Sequence, residues 1–119
     1  MRLAITSQAE GMDSAVDPRF GRAKYFVVVD AATHAVTTVN NAVNLNAAQG
    51  AGIQAAKSIL DLNVKALITG HVGPKAFAAL KAGGIEVFPI AGGTVAEALA
   101  QFKAGTLRAM PAADVQGHW

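Results

Sequence analysis

The sequence predicts an α/β fold: a mixed sheet of about five strands with helices on its faces. Three observations predict it. Residues 2–6, 24–30 and 35–40 read as strands, the last two as a hairpin, before any helix pattern begins. From Gly50 onward the pattern becomes strand–helix alternation. Apolar residues make up 52% of the chain and charged ones 15%, which excludes a disordered polymer and supplies a core.

Each element has its own local reason. Residues 2–6 form a short apolar first strand. Residues 7–22 form a long loop holding Gly11, Asp13, Asp17, Pro18 and Gly21, and loops of that length in small domains are commonly functional. Lys24-Tyr25-Phe26-Val27-Val28-Val29-Asp30 is the strongest strand, rich in β-branched and aromatic residues. Residues 31–34 turn the chain, and residues 35–40 alternate as an antiparallel edge strand. Two glycines, Gly50 and Gly52, open a helix over about residues 51–62, with Ile53, Ala56 and Leu60 on one face. Residues 65–69 form a buried strand. Gly70-His71-Val72-Gly73-Pro74 then leads into a helix with Pro74 at its first position, ended by Gly83-Gly84. Residues 85–90 form the last strand. Thr94-Val95-Ala96-Glu97 is a capping box, and Val95, Leu99 and Phe102 form the apolar face of the helix that follows, up to Gly105. Residues 1–107 make one cluster of elements and residues 108–119 a tail. The helix linking two parallel strands makes a right-handed crossover.

Composition removes several classes of function. With 119 residues, one domain burying about 65% of its unfolded surface is the natural size. No cysteine is present, so disulfides, thiolate catalysis and thiolate-ligated zinc or iron–sulfur sites are excluded, which suits a cytoplasmic protein. The first eight residues hold too short an apolar run for a signal peptide, and no run is long enough for a membrane span. Ten Lys and Arg against eight Asp and Glu give +2, too little to indicate nucleic acid as a partner.

In an open α/β sheet, ligands bind beyond the carboxyl ends of the strands. Three loops gather there by this reading: 7–22, 70–73 and 91–94, with Gly50 and Gly52 nearby. Glycines at three helix starts leave backbone N–H groups free, and such ends attract anions. Arg19, Arg22 and Lys24 bracket Phe20 and Gly21, so cations stand beside an aromatic ring. Together with Gly70, His71 and Gly73, these residues describe an anion site rather than an acid–base site. Plainer readings stand beside it: Arg19 and Arg22 as solvated loop charges, Phe20 as a core plug, Asp13 and Asp17 as turn residues, His34 and His118 as surface residues. The anion is then either a polyanionic cargo or the phosphate of a small molecule handled by an enzyme or regulator.

Other motifs fail on context. Gly50-Ala51-Gly52-Ile53-Gln54-Ala55 matches the loose glycine-x-glycine-x-x-alanine dinucleotide fingerprint. That motif needs a strand directly before it and a carboxylate about twenty residues on. Here a polar connection precedes it, and Ile68-Thr69-Gly70 carries no acid. A metal-dependent nuclease needs a carboxylate in the first strand, and Arg2-Leu3-Ala4-Ile5-Thr6 has none.

Four ordered motifs carry a resemblance. They are Asp17-Pro18-Arg19-Phe20-Gly21-Arg22-Ala23 with Tyr25-Phe26; Gly50-Ala51-Gly52-Ile53-Gln54-Ala55-Ala56; Ile68-Thr69-Gly70-His71-Val72-Gly73-Pro74; and Gly93-Thr94-Val95-Ala96-Glu97-Ala98. Over residues 1–107 the chain resembles the nitrogenase iron–molybdenum cofactor biosynthesis family, which takes in NifX-like carriers and the carboxyl-terminal domain of NifB. The resemblance implies a ribonuclease H-like fold without nuclease chemistry. It implies a non-enzymatic carrier or scaffold for an anionic metal–sulfur cluster, either molybdenum–copper sulfide or iron–molybdenum–sulfur, held non-covalently. A protein that donates or accepts the cluster is the partner it implies. Gln49 stands where many relatives have histidine, which leaves His71 as the imidazole at the site, either as a ligand or as a hydrogen-bond donor to sulfide.

Overall fold

The computed structural model describes residues 1–41 and 51–111. Gln49 and Gly50, and the tail from residue 112, lie outside the described residues. The elements are β1 (Arg2–Ser7), a single 3-10 turn (Phe20–Arg22), β2 (Tyr25–Asp30), β3 (Val36–Asn40), α1 (Ala51–Leu60), β4 (Ala66–Thr69), α2 (Pro74–Ala82), β5 (Glu86–Pro89) and α3 (Val95–Ala104). The five strands form one sheet in the order β3-β2-β1-β4-β5. β1 runs antiparallel to β2 and parallel to β4, so the sheet is mixed as expected. β3 is an edge strand paired antiparallel to β2, and β5 is parallel to β4.

The central strands read as continuous apolar runs because both of their faces are covered. Ala4, Phe26, Val28, Leu67 and Val87 point to one face, where they meet Ala55, Ala56 and Ile59 of α1 and Ala76 and Leu80 of α2. Leu3, Ile5, Val27, Val29, Ala66 and Ile68 point to the other, against Val95 and Ala98 of α3. Phe88 and Phe102 meet edge to face there, with centroids 5.1 Å apart. Each large side chain buried this way contributes about 1.5–3 kcal/mol against the cost of ordering the chain.

Two expectations about α1 need correction. Its buried face is centred on Ala55, Ala56 and Ile59, all at 0% exposure, while Ile53 is 37% exposed. In an alanine-rich helix the large apolar residues do not by themselves mark the core face, since Ala55 and Ala56 pack closest to the sheet. The helix also stops at Leu60, two residues earlier than expected, because Asn63 takes a left-handed conformation (φ 57°) and turns the chain. Strand ends move by one residue at most.

The hairpin turn is held by Asp30, whose Oδ1 accepts from the N–H groups of Ala32 (2.8 Å) and Thr33 (3.1 Å). The bonds from Thr33 and Ala32, with the nearby N-terminus and Arg2, hold this exposed carboxyl below its usual range.

The capping box is present. Thr94 Oγ1 accepts from Glu97 N–H at 3.1 Å, and Glu97 Oε1 accepts from Thr94 N–H at 2.9 Å. We expect Thr94→Ala to cost about 1 kcal/mol, measured by urea unfolding. An unchanged midpoint would show that the box carries no weight in stability.

Candidate functional site

The loop 8–24 crosses the carboxyl ends of β1 and β4, and its attachments begin inside the sheet. Thr6 and Thr69, the last inward positions of β1 and β4, are fully buried, and their hydroxyls share a hydrogen bond of 2.8 Å. Thr6 Oγ1 also donates to the carbonyl of Asp17 at 2.8 Å, and Asp17 N–H donates to the carbonyl of Thr6 at 3.0 Å. Asp17 is thereby fixed, and its Oδ1 accepts from Arg19 N–H at 2.9 Å, the turn role open to Asp at such a position.

A second set of bonds ties the loop to the residues after β4. His71 N–H donates to Pro18 O at 2.7 Å, and Phe20 N–H donates to His71 O at 3.1 Å. This pairs Arg19 with His71 in a short parallel bridge. The approach is possible because residue 70 is glycine. A Cβ there would stand 2.6 Å from Pro18 Cα and 2.8 Å from Pro18 C, well inside contact distance.

Phe20 lies beneath the loop. It is 1% exposed and stacked on Phe26 with centroids 6.1 Å apart, in the core shared with α1 and α2. Its ring plugs the core, and Gly21 beside it is buried too. Phe20 therefore locks the loop in place, and the neighbouring cations project from a fixed base.

Arg19, Arg22 and Lys24 converge. With Gln8, Asp17 and Pro18 they line one open depression of about 530 Å³. Arg19 and Lys24 are exposed and Arg22 is half-buried. Neither Arg19 nor Lys24 has an ion-pair partner among the described residues. Three cations facing one carboxylate make the depression attractive to anions. Among the described residues, no three His, Asp or Glu side chains are placed to hold a metal ion.

The helix starts divide. At α3 no donor is left over for a ligand: besides the capping box, Val95 N–H donates to Ser14 O and Ala96 N–H to Met12 O, both at 2.9 Å. The expectation of free N–H groups there is corrected, because the loop's own carbonyls cap the helix. At α2, Gly73 is the buried N-cap residue and has no side chain to cap with; Pro74 follows it, and the first intrahelical bond runs from Phe77 N–H to Gly73 O at 2.9 Å. α1 packs against the 3-10 turn, on the face of the sheet where Phe20 plugs the core. His71 is exposed next to this assembly, though it does not line the depression. Gln8, Pro18 and the Thr6–Thr69 pair were missed by sequence reasoning. The available signal was that Thr6 and Thr69 are polar residues closing two apolar strands.

Residues 1–105 match the family described as dinitrogenase iron-molybdenum cofactor. The chain belongs to that family. Solved relatives agree with this membership. The chain is 43% identical to the orange protein of Desulfovibrio gigas, known in its apo form, over 96% of both chains with a TM-score of 0.93. It is 36% identical to a putative NifB protein from Thermotoga, described as belonging to the DUF35 family, over 98% of both chains with a TM-score of 0.84. An uncharacterized protein of Methanocaldococcus jannaschii is 29% identical over 94 residues, 77% of this chain and 80% of that one. The nitrogenase cofactor family is thus the setting for the cationic depression, as the four motifs implied. Among the described residues, no helix is long and apolar enough to cross a membrane.

Proposed function

We propose that this protein is a non-enzymatic carrier or scaffold for an anionic, molybdenum-containing metal–sulfur cluster, of the molybdenum–copper sulfide or iron–molybdenum–sulfur kind. One observation carries the reading: Arg19, Arg22 and Lys24 converge on a single open depression of about 530 Å³. The donor set fits an anion approached through its outer sulfide or oxo atoms. Guanidinium and ammonium groups supply charge-assisted hydrogen bonds to such atoms without displacing them from their metals. Gly52, Gly70 and Gly73 border the depression in this reading as a source of backbone donors, and His71, whose own N–H is bound to Pro18 O, contributes only its imidazole. His71 acts as ligand or donor at the margin, and Phe20 and Gly21 set the base. Gly50 belongs to the same reading but lies outside the described residues.

Further parts of the proposal follow from the same reading. The strand order 3-2-1-4-5 with only β2 reversed supports a ribonuclease H-like assignment. In this reading residues 1–107 are the cluster-binding domain and residues 108–119 a tail whose first part docks on it, Met110 packing into the core and bonding to Val87 O. A cytoplasmic donor or acceptor protein is the partner a carrier requires, with no role for nucleic acid or membrane.

The test is incubation with tetrathiomolybdate and copper followed by gel filtration. Visible charge-transfer bands that co-elute with the protein, and weaken with added salt, are the expected result. Thermal stabilisation by nucleotides, with none by thiomolybdate, would replace the carrier with an enzyme or regulator of a phosphate-bearing molecule.

A further inference from the structure

The depression that gathers three cations also contains a carboxylate, and that carboxylate is not neutralised. Asp17 lines the depression beside Arg19, Arg22 and Lys24. It forms no ion pair with any of them. Its Oδ1 is occupied by Arg19 N–H. Among the described residues no buried side-chain oxygen lacks a partner, so Oδ2, for which no partner exists, keeps contact with solvent. Asp17 as a whole is only 5% exposed, Thr6 holds its backbone on both sides, and the bond from Arg19 N–H to Oδ1 keeps the carboxyl at the site.

A turn at this position does not require a charge. The Oδ1 of asparagine would accept the same N–H, and asparagine favours the same turn. The negative charge is therefore surplus to the fold, and its field acts on whatever anion the cations attract. We propose that Asp17 sets how tightly the depression holds its anion, weakening the grip of the three cations so that a bound polyanion can be released. The inference rests on the carrier reading above and concerns the regulation of the same site. A carrier whose cations met no carboxylate in the depression would bind well and transfer poorly. A fixed carboxylate facing the cargo lowers affinity without removing any donor.

The experiment measures tetrathiomolybdate binding by isothermal titration for wild type and D17N, at low and high ionic strength. D17N keeps the bond to Arg19 N–H and loses only the charge. We expect it to bind on the order of tenfold more tightly at low salt, with a gap that narrows as salt is raised. A purely structural role would not produce a salt-dependent gain. If D17N melts early, D17S, which keeps a short acceptor for the same N–H, gives the same readout. Binding by wild type with no gain in the neutral variants overturns the inference and leaves the carrier reading standing. Binding by the neutral variants but not by wild type would mean that the native depression holds no such anion, and overturns the carrier reading together with the inference that rests on it. Binding by none overturns both.

Discussion

R19E/R22E will not carry a molybdenum–copper sulfide through gel filtration, whereas the wild type will. The depression holds three cations against one carboxylate, and the double variant reverses this to one cation against three carboxylates. Reversal turns attraction into repulsion at contact distance, where each charge acts with little screening. The fold should notice much less. Arg19 is exposed and Arg22 half-buried, and Phe20 between them supplies the packing that anchors the loop. Surface charges contribute about 0–1 kcal/mol to stability, so the melting temperature should move by no more than a few degrees. Normal reconstitution by the double variant would move the site away from this loop.

Gly70→Ala should destabilise the protein strongly, because the added methyl meets backbone. The new Cβ would meet Pro18 Cα at 2.6 Å, and the obstacle is backbone, which cannot rotate out of the way as a side chain could. Overpacking costs typically 1–3 kcal/mol, and an unyielding neighbour puts this case at about 3 kcal/mol or above. In a chain of 119 residues that corresponds to a drop on the order of 10 °C. Relief requires the loop to lift from β4, breaking the His71–Pro18 and Phe20–His71 bonds, so cluster retention should fall with it. A variant that melts with the wild type would mean the loop does not pass this close in solution.

How far the sequence alone could go depended on the range of the interaction. The Thr94–Glu97 box, Pro74 at the start of α2 and Gly105 at the end of α3 are local signals, and each stands where the residues place it. The mixed sheet was legible because strand pairs and helix alternation leave few topologies. The core face of α1 was not, because alanines carry almost no periodic signal. Gly70 was legible as a turn glycine but not as the point where Pro18 crosses, which depends on a residue fifty-two positions away. The occupied donors of α3 were hidden for the same reason: nothing local to Thr94 shows that Ser14 and Met12 supply the acceptors. The cations were legible as a cluster because Arg19, Arg22 and Lys24 are close in sequence, while Gln8 stands at the far end of the loop and the two threonines beneath it come from β1 and β4.

The amide of Met110 donates to the carbonyl of Val87 at 2.6 Å, and the Met110 side chain is 5% exposed against the core. β5 is the outermost strand on its side of the sheet, and an outer strand with open backbone groups recruits strands from other molecules. Met110 therefore works as an edge guard, shielding β5 from intermolecular pairing, with Pro89 closing the strand's end. Anyone trimming this chain or fusing a partner to it should keep the chain intact through Met110. A boundary drawn at the end of the last helix would strip the guard from β5 and invite chain-to-chain sheet extension.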